Sequence, residues 1–190
     1  MSIRGLVLFP GAGSSSEQST LQAIERAVLP LPTFRRDFPY RRAGRKIPDR
    51  APVLVQYVID EVCAVAEQLQ CATTDLVIGG RSMGGRMCTM AVANERSGFS
   101  VHGVICVSYP LHPPKRPSQL RVEHFPRMRV ASLFVSGTRD EFGSPEELAA
   151  ELAAIPIAPT IEFIEGGRHD LKGQDDRVGT IVNEWLLALQ

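Results

Sequence analysis

Leu76-Val77-Ile78-Gly79-Gly80-Arg81-Ser82-Met83-Gly84-Gly85 opens as an apolar, β-branched run and then turns on glycines. The run has the composition of a buried strand. Arg86-Met87-Cys88-Thr89-Met90-Ala91-Val92-Ala93 follows and reads as a helix. Between the two lies Gly80-Arg81-Ser82-Met83-Gly84, a G-x-S-x-G. A serine at so tight a strand-to-helix turn needs neighbours two residues away without side chains, because the chain folds back on itself there. Holding that turn costs roughly 1–3 kcal/mol of backbone strain. The return is a hydroxyl aimed at the next helix N-terminus, whose free N–H groups and partial positive charge suit a developing oxyanion. Taken alone, the five residues also describe an ordinary βα turn with tight helix–sheet packing, so their context has to decide.

Outward from this turn, apolar strand-like runs alternate with helical patterns along the whole chain. The expected strands are Ile3 to Phe9, Thr33 to Phe38, Asp75 to Ile78, Val101 to Val107, Ala131 to Ser136 and Thr160 to Ile164. Helices are expected from Glu17 to about Leu29, capped by a serine near its start, and from Val53 to Gln70 after Pro52. In the latter, Leu54, Val58, Val62, Val65 and Leu69 recur at helical spacing. Ser144-Pro145-Glu146-Glu147 combines a cap, a first-turn proline and acidic residues at the start of another helix, and the last runs from about Asp175 to Leu189. The segment from Tyr40 to Ala51 reads as basic and irregular, and Tyr109 to Pro126 as a long proline-rich loop. Alternation of this kind predicts an α/β fold, a parallel sheet with helices on both faces joined by right-handed crossovers. Ligands in such sheets bind beyond the carboxyl ends of the strands, so candidate functional residues are those that follow each strand.

A length of 190 residues with no linker or repeat points to one domain over residues 1–190. The formal net charge of zero provides no global attraction for nucleic acid or an anionic membrane. No apolar run reaches transmembrane length, and the first ten residues read as a strand rather than a signal peptide, so a cytoplasmic location is expected. Cys63, Cys71, Cys88 and Cys106 show no C-x-x-C pairing and read as buried free thiols inside elements. No metal site and no cofactor are expected.

After the fifth strand comes Ser136-Gly137-Thr138-Arg139-Asp140-Glu141-Phe142, and after the sixth Glu165-Gly166-Gly167-Arg168-His169-Asp170. Ser82, Asp140 and His169 thus fall in the chain order of a serine triad on a sheet of this kind. The chemistry needs a base for the serine proton and a carboxylate to fix the imidazole tautomer. Glu141 adjoins Asp140 and is the alternative acid. Of the other histidines, His102 precedes a strand and faces the opposite edge, whereas His112 and His124 lie in or near the proline-rich loop. The loop Pro10-Gly11-Ala12-Gly13 follows strand one; its Ala12 N–H, with that of Met83, is the expected oxyanion hole. A rival for this loop is a dinucleotide fingerprint in Gly11-Ala12-Gly13-Ser14-Ser15-Ser16 with Asp37 as the ribose acid, but Ser16 replaces the third glycine. Arg35, Arg36, Arg41, Arg42, Arg45 and Lys46 form either a solvated face or a surface for an anionic substrate or partner.

These residues resemble an α/β-hydrolase. More narrowly, Phe38-Pro39-Tyr40-Arg41, Gly79-Gly80-Arg81-Ser82-Met83-Gly84-Gly85-Arg86, Tyr109-Pro110-Leu111-His112-Pro113-Pro114, Gly137-Thr138-Arg139-Asp140 and Gly167-Arg168-His169-Asp170-Leu171 are similar to a small family. That family groups bacterial hydrolase-like proteins with eukaryotic testis-expressed and chromatin-complex members, near the dienelactone hydrolases. The resemblance implies an α/β-hydrolase fold and a triad of Ser82, Asp140 and His169, without a defined substrate. Such relatives commonly carry His-Gly where this chain has Pro10-Gly11, and proline has no N–H to give. The expected activity is hydrolysis of a carboxylic ester or thioester with a small acyl group. The alternative is a binding or scaffold protein that keeps the fold without the chemistry. Expected partners are the acyl substrate and, at most, a second copy of the chain, with no nucleic acid or membrane.

Overall fold

The computed structural model describes residues 3–189, apart from the Arg96 side chain. Its strands are β1 Gly5–Phe9, β2 Thr33–Arg35, β3 Leu76–Arg81, β4 Gly103–Val107, β5 Ala131–Gly137 and β6 Thr160–Ile164. They form one sheet in the order β2-β1-β3-β4-β5-β6, with every neighbouring pair parallel. The helices are α1 Ser19–Ala27, α2 Pro39–Arg42, α3 Ala51–Leu69, α4 Met83–Val92, α5 Pro145–Leu152 and α6 Asp175–Ala188.

Period-two alternation divides the core into two layers. Val7, Phe9, Ile78, Val104, Cys106 and Phe134 point to one face of the sheet and pack against α3, α4 and α5. Leu6, Leu8, Val77, Ile105, Val107 and Leu133 point to the other, where α1 and α6 bury Leu21, Ile24, Val178, Val182 and Trp185. Strands buried on both faces explain why the central runs read as continuous apolar stretches. Among the described residues, no helix is long and apolar enough to cross a membrane.

Several boundaries depart from the sequence expectation. β2 stops at Arg35, because Asp37 turns back to accept hydrogen bonds from Ser16 and Phe38 leaves the sheet edge for the core. Pro39 starts the short helix α2 inside the segment expected to be irregular. β3 runs on to Arg81, held by register with Val107 of β4. α1 begins at Ser19 behind Gln18, which makes no side-chain cap; its amide oxygen instead accepts the Gly11 N–H at 3.2 Å. Cys88 and Cys106 are buried, but Cys63 and Cys71 are only partly so, and Cys71 lies beyond the end of α3.

The chain passes from β1 to β2 on one side and then returns to place β3 on the other side of β1. The loops leaving β1 and β3 therefore diverge at their carboxyl ends and open a crevice. That switch point positions the site.

Candidate active site

Ser82 links β3 to α4 with φ 49° and ψ −115°, a positive φ that side-chain-bearing residues rarely adopt. Its N–H donates to the Val107 carbonyl at 2.8 Å, and its carbonyl accepts the Arg86 N–H at 3.0 Å. The flanking glycines are there because the end of β1 presses against the turn. A Cβ on Gly80 would lie 2.3 Å from the Phe9 carbonyl oxygen, and one on Gly84 2.2 Å from the same atom.

The three sequence-selected side chains meet at this edge of the sheet. Ser82 Oγ lies 2.9 Å from His169 Nε2, and His169 Nδ1 lies 2.9 Å from both carboxylate oxygens of Asp140. A carboxylate only accepts, so Nδ1 carries the proton and Nε2 is left to accept from the serine hydroxyl. Asp140 is buried and also receives the Phe142 N–H at 2.9 Å and the Ser136 hydroxyl at 3.4 Å. Glu141 is exposed and makes none of these contacts.

Backbone approach brings the aspartate and histidine loops together. Gly137 lies so close to Gly167 that a Cβ on it would sit 2.1 Å from the Gly167 carbonyl oxygen, an approach that requires glycine. The Arg139 N–H donates to that oxygen at 2.8 Å, and the Gly166 N–H to the Thr138 hydroxyl at 2.8 Å. The Phe142 ring packs on the imidazole with centroids 4.0 Å apart. Arg81 donates to the His169 carbonyl at 2.7 Å, tying the histidine loop to the serine turn. Burial pulls its guanidinium below the ordinary value, against the opposing pull of Asp170, Asp175 and Asp140.

In the loop after β1, the N–H groups are already assigned on both sides of Ala12. Gly11 donates to Gln18, Gly13 to the Tyr40 hydroxyl at 3.4 Å and Ser14 to the Gly11 carbonyl at 3.1 Å. Among the described residues the Ala12 N–H meets no acceptor. Met83 is the first residue of α4, so its N–H has no partner within the helix. Ala12 and Met83 both line a cavity of about 480 Å³ that also exposes Ser82 and His169.

The other sequence candidates lie elsewhere. Asp37 accepts the Ser16 N–H at 2.6 Å and closes the first loop, so its carboxylate is engaged within the protein. His112 pins the proline-rich loop, with Nδ1 2.9 Å from the Pro113 carbonyl and Nε2 3.5 Å from Glu147. His124 is buried against Thr89 at 2.8 Å. His102 sits at the opposite sheet edge, 3.3 Å from the Thr74 carbonyl. In the basic segment, Arg35 pairs with Glu17 and Glu25, Arg36 and Arg42 with Glu61, and Arg45 with Asp49. The cavity draws its positive charge from elsewhere, through Arg81 at the end of β3, Arg86 on α4 and Arg121 at the end of the proline-rich loop. Arg86 stands within the motif from Gly79 to Arg86 with no role assigned to it from sequence, and Arg121 carries no local signal at all.

A parallel sheet of this order, with a serine at the turn between β3 and α4, fits the α/β-hydrolase class. The model of the alpha/beta hydrolase domain matches residues 3–186, and the chain belongs to that family. Among solved structures it is similar to Est1E from Butyrivibrio proteoclasticus, at 16% identity and a TM-score of 0.78, over 99% of this chain and 88% of that one. It is also similar to a dienelactone hydrolase from Anabaena variabilis, at 18% identity and a TM-score of 0.72, covering 97% and 86%. A monoacylglycerol lipase from Paleococcus ferrophilus aligns at 15% identity and a TM-score of 0.71, covering 100% and 96%.

Proposed function

We propose that the protein is a serine hydrolase of small carboxylic esters or thioesters working through an acyl-enzyme. The observation that carries this is the continuous hydrogen-bonded chain from Ser82 through His169 to Asp140, opening on a cavity that also presents free N–H groups. Ser82 Oγ attacks the substrate carbonyl carbon while His169 Nε2 takes the hydroxyl proton. Asp140 holds the imidazole in the required tautomer and stabilises the imidazolium. The Ala12 and Met83 N–H groups receive the oxyanion of the tetrahedral intermediate. Its collapse breaks the bond to the leaving oxygen or sulfur, which takes the proton back from His169. Water then attacks the acyl-enzyme with His169 again as base, releasing the acid and restoring the serine.

The cavity volume of about 480 Å³ suits a small acyl substrate. Pro10 gives no N–H and that of Gly11 is engaged by Gln18, yet the hole needs only the Ala12 donor from this loop. The motifs from Gly79 to Arg86 and from Gly167 to Leu171 support membership of the narrower grouping near the dienelactone hydrolases, a grouping that names no substrate.

The test is labelling by a fluorophosphonate probe together with turnover of a short p-nitrophenyl ester. Wild type is expected to do both and Ser82→Ala neither. Equal behaviour of the two proteins removes the hydrolase reading and leaves a binding protein on a hydrolase fold.

A further inference from the structure

Two arginines in the cavity wall have no counter-charge. Arg86 follows Ser82 by one turn of α4, fixed there by its N–H bond to the Ser82 carbonyl at 3.0 Å. Its Nε is fully buried, and among the described residues neither an acceptor for that atom nor a carboxylate within ion-pair distance is present. Arg121 reaches the same cavity from the other wall, set by the Tyr109 hydroxyl on its carbonyl at 2.6 Å and by its N–H on Leu111 at 2.9 Å. Its guanidinium makes only a 3.4 Å contact to the Pro110 carbonyl. Burial first, and the Arg86 charge second, push Arg121 below the ordinary arginine value. The carboxylate in this cavity wall, Asp49, already pairs with Arg45 at 2.8 Å.

Like charges held together at a half-buried wall destabilise a fold unless an anion completes them. Guanidinium forks match carboxylates with two parallel hydrogen bonds.

We infer that Arg86 and Arg121 bind a free carboxylate on the substrate, so that the preferred substrate is a short ester or thioester of a dicarboxylic type rather than a neutral acyl ester. This rests on the hydrolase reading above and names its substrate class. Arg86 lies four residues, about 6 Å, along the helix from Ser82. The anionic group therefore stands only a few bonds from the reacting carbonyl.

The test compares kcat/KM for mono-p-nitrophenyl glutarate against p-nitrophenyl pentanoate, which carries the charge on the acyl half. A second pair, p-carboxyphenyl acetate against p-tolyl acetate, carries it on the leaving half. In at least one pair, Arg86→Gln and Arg121→Gln are each expected to lower the charged-to-neutral ratio by about tenfold or more. In parallel, glutarate is expected to raise the melting temperature of wild type, and glutaramide is not; the Arg86→Gln, Arg121→Gln double variant loses the glutarate effect. Should the variants not fold, the wild-type contrast of glutarate with glutaramide still decides. Ser82-dependent turnover with unmoved ratios in both pairs overturns the carboxylate site and leaves the hydrolase standing. Absence of any Ser82-dependent turnover removes the hydrolase, and the glutarate melting shift then decides the anion site by itself. Equal stabilisation by glutarate and glutaramide overturns it.

Discussion

One methyl group at position 84 would collide with the backbone of β1. The ideal Cβ lies 2.2 Å from the Phe9 oxygen, and that atom is main chain, so the strand itself has to move. Gly84→Ala is expected to lose about 1–3 kcal/mol of stability, the usual cost of overpacking. It should also slow fluorophosphonate labelling, because Ser82 and Ala12 sit on the two segments that are pushed apart. Chemical denaturation and labelling kinetics check the two effects. At Asp140 the change is chemical rather than steric. Asn in its place presents an amide to His169 Nδ1 and favours the wrong tautomer, so Asp140→Asn is expected to lower kcat by about three to four orders of magnitude. Glu141→Gln, at an exposed position, is expected to leave kcat within a factor of about two. Steady-state kinetics on one ester separate the acids. Sequence order could select Asp140 over its neighbour only weakly; burial of one side chain and exposure of the other make the difference physical.

At the level of elements, legibility tracked how local each signal was. The start of α5 was readable because its whole mechanism lies within four consecutive residues. Ser144 accepts the Glu147 N–H at 3.2 Å, and the Glu147 carboxylate accepts the Ser144 N–H at 2.8 Å. That backbone bond, with His112 helping, keeps the Glu147 carboxyl below the usual range. Ser144→Ala is expected to cost about 1 kcal/mol, read as a lowered melting temperature with Ser82 labelling retained. The start of α1 failed as a cap because Gln18 is committed to Gly11, a long-range choice that no local pattern records. The G-x-S-x-G turn was readable for the same reason as α5: strand, steric need and helix are contiguous. The end of β2 and the helix at Pro39 were not, since Asp37 turns away to serve a loop twenty-one residues earlier. Arg86 and Arg121 share a cavity only because the proline-rich loop folds back over α4, and nothing in either neighbourhood announces it.

On the scale of the whole molecule, a neutral chain conceals uneven local charge. Positive charge gathers along α4 and the loop that covers it, through Arg86, Arg121 and Arg127, and His124 is buried among them. Thr89 donates its hydroxyl proton to the Arg86 carbonyl at 2.8 Å, so its oxygen accepts from His124 Nε2–H at 2.8 Å. Burial, followed by the Arg86 and Arg127 charges, lowers the His124 pKa from 6.5 to about 3. The sign follows from proton binding. Between about pH 6.5 and pH 3 the unfolded chain holds a proton on this ring that the folded one refuses, so acid favours unfolding. The stability conferred by a neutral His124 is complete above the unfolded value and drains away as pH falls towards the folded one. One proton sets a limit of about 1.4 kcal/mol per pH unit on the slope. His124→Gln keeps a donor for Thr89 and removes the titration. Urea midpoints for wild type and His124→Gln should therefore converge as pH drops from 7 to 4, wild type losing the more. Parallel pH profiles would place the acid sensitivity elsewhere, on groups that both proteins share.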